Sequence, residues 1–195
     1  MTRAIGIAMA ANQPSWPRQW LMTDERIGER LWEAIDRLPR GLGGIMFRHY
    51  SLAPGDRFRL GEEVASAARE RGLLLAVAGS ARLAEELGAS LLHNPDDIGS
   101  QPISMAVHNE AEAERARHFG AALAFIAPIH GTRSHSNSPS LGLDRAAELA
   151  RRAGRPAIAL GGMSQLRFDE LDQAYRGLFH GFAGIDCWLG SQTKT

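Results

Sequence analysis

The chain has little of what marks several large classes of protein. It contains one cysteine, Cys187, so neither an internal disulfide nor a cysteine-based zinc cluster can form. Its 22 basic residues balance 22 acidic ones, which leaves no overall attraction to nucleic acid or to an anionic membrane. No apolar run approaches the roughly 20 residues that span a bilayer. We therefore expect a cytoplasmic protein that binds neither nucleic acid nor membranes.

Several short motifs of well-known enzymes are also missing. No Gly-x-Gly-x-x-Gly follows the first predicted strand, and neither a Gly-x-x-x-x-Gly-Lys-Ser/Thr loop nor a Gly-x-Ser-x-Gly turn occurs. These absences argue against a dinucleotide-binding enzyme, a P-loop nucleotide hydrolase and a serine hydrolase of the α/β class.

The residues that are present describe an ordinary globular domain. Hydrophobic residues make up 44% of the chain and charged residues 23%. A length of 195 residues can bury a substantial core. We expect one domain over residues 1–195, with residues 1–18 as an N-terminal extension. Two placements of this apolar extension stay open: under the domain, or against a second subunit in a homodimer.

Short apolar segments alternate with amphipathic helical segments along the chain. Eight strands are predicted, at 19–23, 44–48, 73–77, 89–93, 103–107, 121–129, 156–160 and 184–188. Helices are predicted between them except after the fourth strand, at 24–38, 56–71, 80–87, 109–118, 143–153 and 166–178. This order indicates parallel strands with right-handed crossovers. We predict a compact α/β fold, a (β/α)8 TIM barrel, and an open doubly wound sheet is the alternative.

Histidines gather where the predicted strands end, which is where a (β/α)8 barrel places its chemistry. Five of the seven lie there: His49, His93, His108, His130 and His135. Because imidazole titrates near neutral pH, His93, His130 and His135 are candidate acid–base groups. For His93 the alternative is a structural role, with its ring hydrogen-bonded to a carbonyl.

Two neighbouring segments have the composition of a phosphate site. Gly161 and Gly162 end an apolar strand and precede a helix, so backbone N–H groups there can approach an anion. An ordinary turn with glycines for packing is the alternative. On the preceding loop, Thr132, Arg133 and Ser134 offer hydroxyls and a guanidinium that can close over a phosphate. The same composition also suits a solvated connection.

Charged residues at two other strand ends complete the candidate site. Arg48 can grip a phosphate or carboxylate with two parallel hydrogen bonds, or pair with an acidic neighbour at the rim. Asp96 and Asp97 can hold Mg²⁺ through oxygen ligands. As adjacent residues in a turn with a proline, they also fit a solvated acidic corner.

The order and spacing of these segments resemble those of thiamine phosphate synthase and its TenI-type relatives. The likeness runs from about Trp20 to Leu189 and rests on residues 20–24, 47–48, 88–93, 107–108, 128–135, 141–142, 159–163 and 181–185. The resemblance implies a (β/α)8 barrel of thiamine biosynthesis. The synthase joins an aminopyrimidine diphosphate to a thiazole phosphate and releases pyrophosphate with the help of Mg²⁺. The relatives perform proton chemistry on thiazole phosphate or have no settled role.

The resemblance also assigns residues to the thiazole-phosphate half of the site. Thr132 and Ser134 match the hydroxyls of the family's phosphate loop, and Gly161 and Gly162 match its phosphate-binding glycines. Gly184 is expected to lead the last strand into the same site. Arg48 and His93 match an arginine and a strand-four histidine of the family.

The diphosphate half departs from the family pattern. Met46 and Tyr50 replace a glutamine and a lysine, Gly79 stands where an aspartate holds the metal, and Ile98 stands at the second metal aspartate. We expect Asp96 or Asp97, with Arg48 and Arg133, to compensate in part.

Three functions follow from this pattern. The first is the transferase with a degenerate diphosphate and Mg²⁺ half-site. The second is a metal-independent enzyme of the thiazole tautomerase type, with His93, His130 or His135 moving protons. The third is a non-catalytic module that binds a phosphorylated heterocycle.

Overall fold

The chain folds into a closed barrel of eight parallel strands. The computed structural model describes residues 16–97, 99–131 and 139–190. The strands are β1 Gln19–Met22, β2 Gly43–Phe47, β3 Leu74–Ala78, β4 Leu91–His93, β5 Ile103–Val107, β6 Leu123–Ile126, β7 Ala157–Leu160 and β8 Phe179–Gly184. Each strand pairs in parallel with the next, and β8 pairs with β1. The predicted (β/α)8 barrel is confirmed, and the open sheet is wrong.

Within the described ranges, six α-helices lie between the strands on the outside of the barrel. They are α1 Arg30–Arg37, α2 Pro54–Arg71, α3 Ala81–Glu86, α4 Glu110–His118, α5 Gly142–Ala153 and α6 Gln165–Ala174. Asn109 caps α4, because its Oδ1 accepts the Glu112 N–H at 3.0 Å. As expected, the described residues between β4 and β5 form no helix. Over the described ranges, no helix has the length and hydropathy of a membrane span.

Apolar side chains fill the inside of the barrel. The Trp20 and Phe125 rings meet edge to face, with centroids 5.8 Å apart. Trp20 fits because the neighbouring strand carries Gly44, where a Cβ would lie 2.5 Å from the indole. The interior cluster comprises Trp20, Met22, Met46, Ala76, Ala78, Leu91, Leu123, Phe125, Ile158 and Ala183. With the interior packed, polar chemistry is confined to the carboxyl ends of the strands.

Two predicted elements were placed wrongly. The last strand is not 184–188: β8 ends at Gly184, and the residues Asp186–Trp188 form a 3-10 turn. The true strand contains Gly181, where a Cβ would lie 2.0 Å from the Arg18 carbonyl oxygen, so close backbone contact requires the glycine. The predicted helix at 24–38 is interrupted at Gly28, which has φ 48°, and α1 begins only after it.

Candidate functional site

His93 lies at the end of β4 and faces the barrel interior. The residue is 4% exposed, and its Nδ1 lies 3.0 Å from the hydroxyl of Ser104 on β5. The ring also packs edge to face on Phe125 at 5.1 Å. Burial lowers the pKa of His93 to about 3, and Arg48 and His108 act in the same direction. The imidazole is therefore neutral near pH 7, and its partner is a hydroxyl rather than a carbonyl.

Arg48 follows β2, and its guanidinium is held at the rim of the barrel. Its Nε donates to the Thr23 carbonyl at 2.8 Å, and its Nη2 donates to Asp24 at 3.2 Å. Its backbone N–H donates to the Thr23 hydroxyl at 2.9 Å. Burial lowers the pKa of Arg48, and Asp24 opposes that shift. Arg48 thus pairs with an acidic neighbour at the rim, as one of its two predicted roles requires. These contacts leave its Nη1 free for the other predicted role, which is anion binding.

Thr23 and His49 support Arg48 from the ends of β1 and β2. His49 Nδ1 lies 3.0 Å from the Thr23 hydroxyl. The His49 ring is 5% exposed and stacks on Phe47 at 5.1 Å. Its φ of 34° is a conformation that few residues other than glycine adopt. Burial lowers the pKa of His49, while Glu25 acts in the opposite direction. The sequence places both residues at strand ends but does not predict this support.

Gly161 and Gly162 form the corner between β7 and α6. Gly161 has φ 98°, and a Cβ there would lie 2.7 Å from the Pro128 Cα. Close packing therefore requires Gly161, as the structural alternative proposes. In the described part of the chain, no turn or loop hydrogen bond uses the N–H of Gly162 or Met163. The corner thus presents backbone donors at the start of α6, which is capped by Ser164.

His130 and Arg167 stand beside this corner. A Cβ on Gly162 would lie 3.0 Å from His130 Cβ and 3.0 Å from Arg167 Nη1. Within the described ranges, the buried His130 Nε2 has no hydrogen-bond partner. Burial lowers the pKa of His130, and Arg167 acts in the same direction. Arg167 also donates to the Gly162 carbonyl. Apart from its place in the first turn of α6, nothing in the sequence pointed to Arg167.

Gly184 has a packing role at the end of β8. A Cβ there would lie 2.5 Å from Cys187 Sγ and 3.3 Å from the Met163 carbonyl oxygen. Contrary to the expectation, Gly184 ends the last strand rather than leading it. Gly184 therefore packs against Met163, which follows the glycine corner.

Asp96 and Asp97 have different surroundings. Asp97 Oδ1 accepts the Ala81 N–H at 2.9 Å, at the start of α3. Asp96 Oδ2 lies 2.7 Å from the place that a Cβ on Gly79 would occupy. Across the described ranges, no three His, Cys, Asp or Glu side chains are grouped as metal ligands. A shared Mg²⁺ site at these two carboxylates stays a prediction.

Part of the predicted site lies outside the described residues. This holds for Thr132, Arg133, Ser134 and His135, and for Ile98. Their predicted roles stay predictions.

Two further polar residues of the mouth were missed by sequence reasoning. Ser104 could have been found from register, because it pairs with His93 across β4 and β5. Arg57 donates from its Nη2 to the Ala78 carbonyl at 2.7 Å. Its only signal in the sequence is a positive charge near the start of a helix, where the macrodipole disfavours cations.

Comparisons with known proteins identify what this barrel resembles. A family model described as thiamine monophosphate synthase matches residues 20–175. A curated protein of Aquifex aeolicus named "Putative thiamine-phosphate synthase 2" is 25% identical over 185 residues, which is 89% of this chain and 98% of that protein. A thiamine-phosphate synthase of Roseiflexus sp. is 27% identical over 160 residues, 74% of this chain and 68% of its own. The structure of thiamine phosphate pyrophosphorylase from Pyrococcus furiosus has a TM-score of 0.75 at 19% identity, covering 90% and 88% of the two chains.

Proposed function

Because the chain belongs to the thiamine monophosphate synthase family, we propose that it joins an aminopyrimidine diphosphate to a thiazole phosphate. The C–O bond to the diphosphate breaks, and the diphosphate leaves with the electron pair. The thiazole nitrogen then donates its lone pair to the pyrimidine carbocation, and a C–N bond forms. We place this reaction in the cytoplasm, with small phosphorylated heterocycles as ligands.

The observation that carries the proposal is a pair of anion-favouring regions across one barrel mouth. The corner at Gly161 and Gly162 follows β7, and the Arg48 guanidinium follows β2. Backbone donors at a helix start favour a phosphate monoester, and a guanidinium favours a diphosphate. The two substrates each carry phosphate groups, so the reaction needs two such regions. The region that binds the diphosphate also stabilises it as the leaving group.

The neutral imidazole of His93 is compatible with the positive charge of the carbocation. A protonated imidazole would repel a developing positive charge, whereas burial keeps this ring neutral near pH 7. The Ser104 hydroxyl holds the ring in place through Nδ1. His93 is thus placed to orient the pyrimidine or to accept a proton without opposing the departure of the diphosphate.

Near this mouth the described residues offer a Mg²⁺ ion two carboxylates, those of Asp96 and Asp97. Mg²⁺ in phosphate sites is bound by one or two carboxylates together with substrate oxygens. Asp97 already accepts the Ala81 N–H, so Asp96, which lies beside Gly79 and near Arg57, would be the ligand. A bound ion would neutralise charge on the diphosphate, and the Arg48 guanidinium supplies positive charge to the same leaving group without a metal.

The test is whether the protein forms thiamine phosphate from the two substrates. The product is oxidised to its thiochrome, and the fluorescence of the thiochrome is measured. We expect Arg48→Gln to lower kcat/KM by about 100-fold, the typical effect of one lost transition-state contact. The matched control is Arg82→Gln, which removes an exposed partner of Glu86 on α3 and should leave the rate unchanged. No product from folded protein at high concentration would end the proposal.

A second candidate function is favoured by two imidazoles. His93 is held neutral by burial, and the buried His130 Nε2 has no partner among the described residues. A metal-independent enzyme acting on thiazole phosphate would use such a group to move a proton. It predicts turnover that ignores EDTA and collapses in His93→Asn or His130→Asn. Tight binding of thiazole phosphate without turnover would instead favour the non-catalytic module.

A further inference from the structure

The end of β3 is occupied by side chains from neighbouring elements. Gly79 has φ 82°, and a Cβ there would lie 2.7 Å from Asp96 Oδ2 and 3.8 Å from the Tyr50 ring. No side chain can therefore extend from position 79 into this rim. Whatever charge the rim offers to a ligand comes from other strands or helices.

Arg57 brings a guanidinium to this rim from the start of α2. Its Nη2 donates to the Ala78 carbonyl at 2.7 Å, and its Nε donates to the Arg48 carbonyl at 3.2 Å. Its guanidinium carbon lies 5.4 Å from the centre of the Tyr50 ring, whose face attracts a cation. The two strand-end carbonyls and the ring together fix the position of the positive charge.

The positive charge of Arg57 lies in an unfavourable position, near the start of α2. The macrodipole of α2 disfavours a cation near the helix start. Burial lowers the pKa of Arg57, while Tyr50, Asp96 and Glu25 oppose that shift. The guanidinium nevertheless stays protonated at any physiological pH. Its contacts to two carbonyls hold it there but leave it with donors that are not used.

The unused donors are on the Nη1 atoms of Arg57 and Arg48. In the described part of the chain, neither atom has a hydrogen-bond partner, and neither is among the fully buried unpaired atoms. Both atoms therefore reach solvent at the rim. The Tyr50 phenol is close enough to both guanidinium groups for each to lower its pKa, against the larger raising effect of burial.

From this geometry we propose that Arg57, together with Arg48, binds the diphosphate group of the substrate. The Arg57 guanidinium supplies at the end of β3 the positive charge that the resemblance assigns to a lysine and a metal ion. The identity of the diphosphate ester rests on the proposed function. The anion site itself does not, because inorganic pyrophosphate alone can probe it.

The first experiment is calorimetric titration of the full chain with inorganic pyrophosphate in EDTA. We expect binding by the wild type, and a loss of about tenfold or more in affinity in Arg57→Gln, since hydrogen bonds to charged groups are strong. The matched control is Arg59→Gln, on the same helix, whose side chain is 73% exposed and pairs with Asp56. It should bind like the wild type. Equal affinity in Arg57→Gln and the wild type would overturn the proposal.

Arg57→Lys guards against a variant that merely unfolds. Lysine keeps the charge, but its single ammonium lacks the planar fork with which Arg57 reaches two carbonyls and a ligand. We expect its melting temperature to stay near that of the wild type and its pyrophosphate affinity to lie between those of the wild type and Arg57→Gln. A folded Arg57→Lys variant that binds pyrophosphate as tightly as the wild type would contradict the two-donor geometry.

Asp96→Asn separates the guanidinium site from a metal site. If Arg57 binds the anion, removing the nearby negative charge should tighten binding in EDTA by about threefold. If Asp96 instead holds Mg²⁺, wild-type binding will require Mg²⁺ and Asp96→Asn will lose it, which would overturn the proposal. Pyrophosphate binding through Arg57 without formation of thiamine phosphate would leave this inference standing and end the proposed function alone.

Discussion

On the β7 side of the barrel mouth the candidate anion-binding groups belong to the backbone, whereas on the β2–β3 side they belong to side chains. At the glycine corner the backbone N–H groups of Gly162 and Met163 are the unused donors, and a side chain on another element cannot replace them. Arg48 and Arg57 reach their rim from a strand end and from a helix, and a different residue could deliver the same charge. This difference agrees with the prediction that the glycine half keeps the family pattern and the charged half departs from it.

The largest expected effect is at the backbone side. Gly161→Ala places a Cβ 2.7 Å from the Pro128 Cα at a φ of 98°, so strain and overpacking together should lower the free energy of unfolding by about 3 kcal/mol. Gly177→Ala is the control, because it has φ 71° with nothing within 4 Å and should lose only about 1 kcal/mol. Denaturant titration measures both. Equal losses would mean that the corner can relax and is not fixed by packing.

The second effect is the pH dependence of stability that comes from His93, which lies on β4 between the two sides. Unfolded His93 titrates near its ordinary pKa of 6.5, whereas the folded residue has a pKa of about 3. Between these values the unfolded chain binds a proton that the folded chain does not. Stability from this residue is therefore full above pH 6.5 and falls as the pH drops, by up to about 1.4 kcal/mol per unit.

Acid unfolding of variants isolates this contribution. His93→Asn should flatten the fall in stability between pH 6.5 and 4, whereas His118→Asn, at the exposed end of α4, should keep the wild-type slope. Identical slopes in all three proteins would show that His93 does not titrate as its burial requires.

The smallest effect concerns Asp97, at the edge of the side-chain half. Asp97→Ala removes the acceptor for the Ala81 N–H and should lower the free energy of unfolding by about 1 kcal/mol. Pyrophosphate affinity, with or without Mg²⁺, should not change. A loss of Mg²⁺-dependent binding in this variant would assign Asp97 to a metal instead of to α3.

The fold was predictable because one rule repeats along the chain. Apolar segments of strand length alternate with amphipathic helical segments, and this order indicates parallel strands. The error at β8 has a local cause. Gly181 and Gly184 weaken the strand pattern of residues 179–184, whereas the apolar residues after Gly184 fit a strand pattern better. The close contact of Gly181 with the Arg18 carbonyl shows where the last strand pairs.

The site was predictable only where position alone decides the role. Arg48 and His93 follow strands directly, so their place at the mouth could be predicted from the alternation. Arg57 could not be predicted, because its side chain reaches the mouth from a helix. Ser104 needed the β4–β5 register, which fixes its contact with His93.

The packed pair of Trp20 and Phe125 fills the barrel interior, so no channel runs through the described part of the barrel. In the proposed reaction, both substrates would therefore enter, and both products leave, at the same end of the barrel, where the strands have their carboxyl ends.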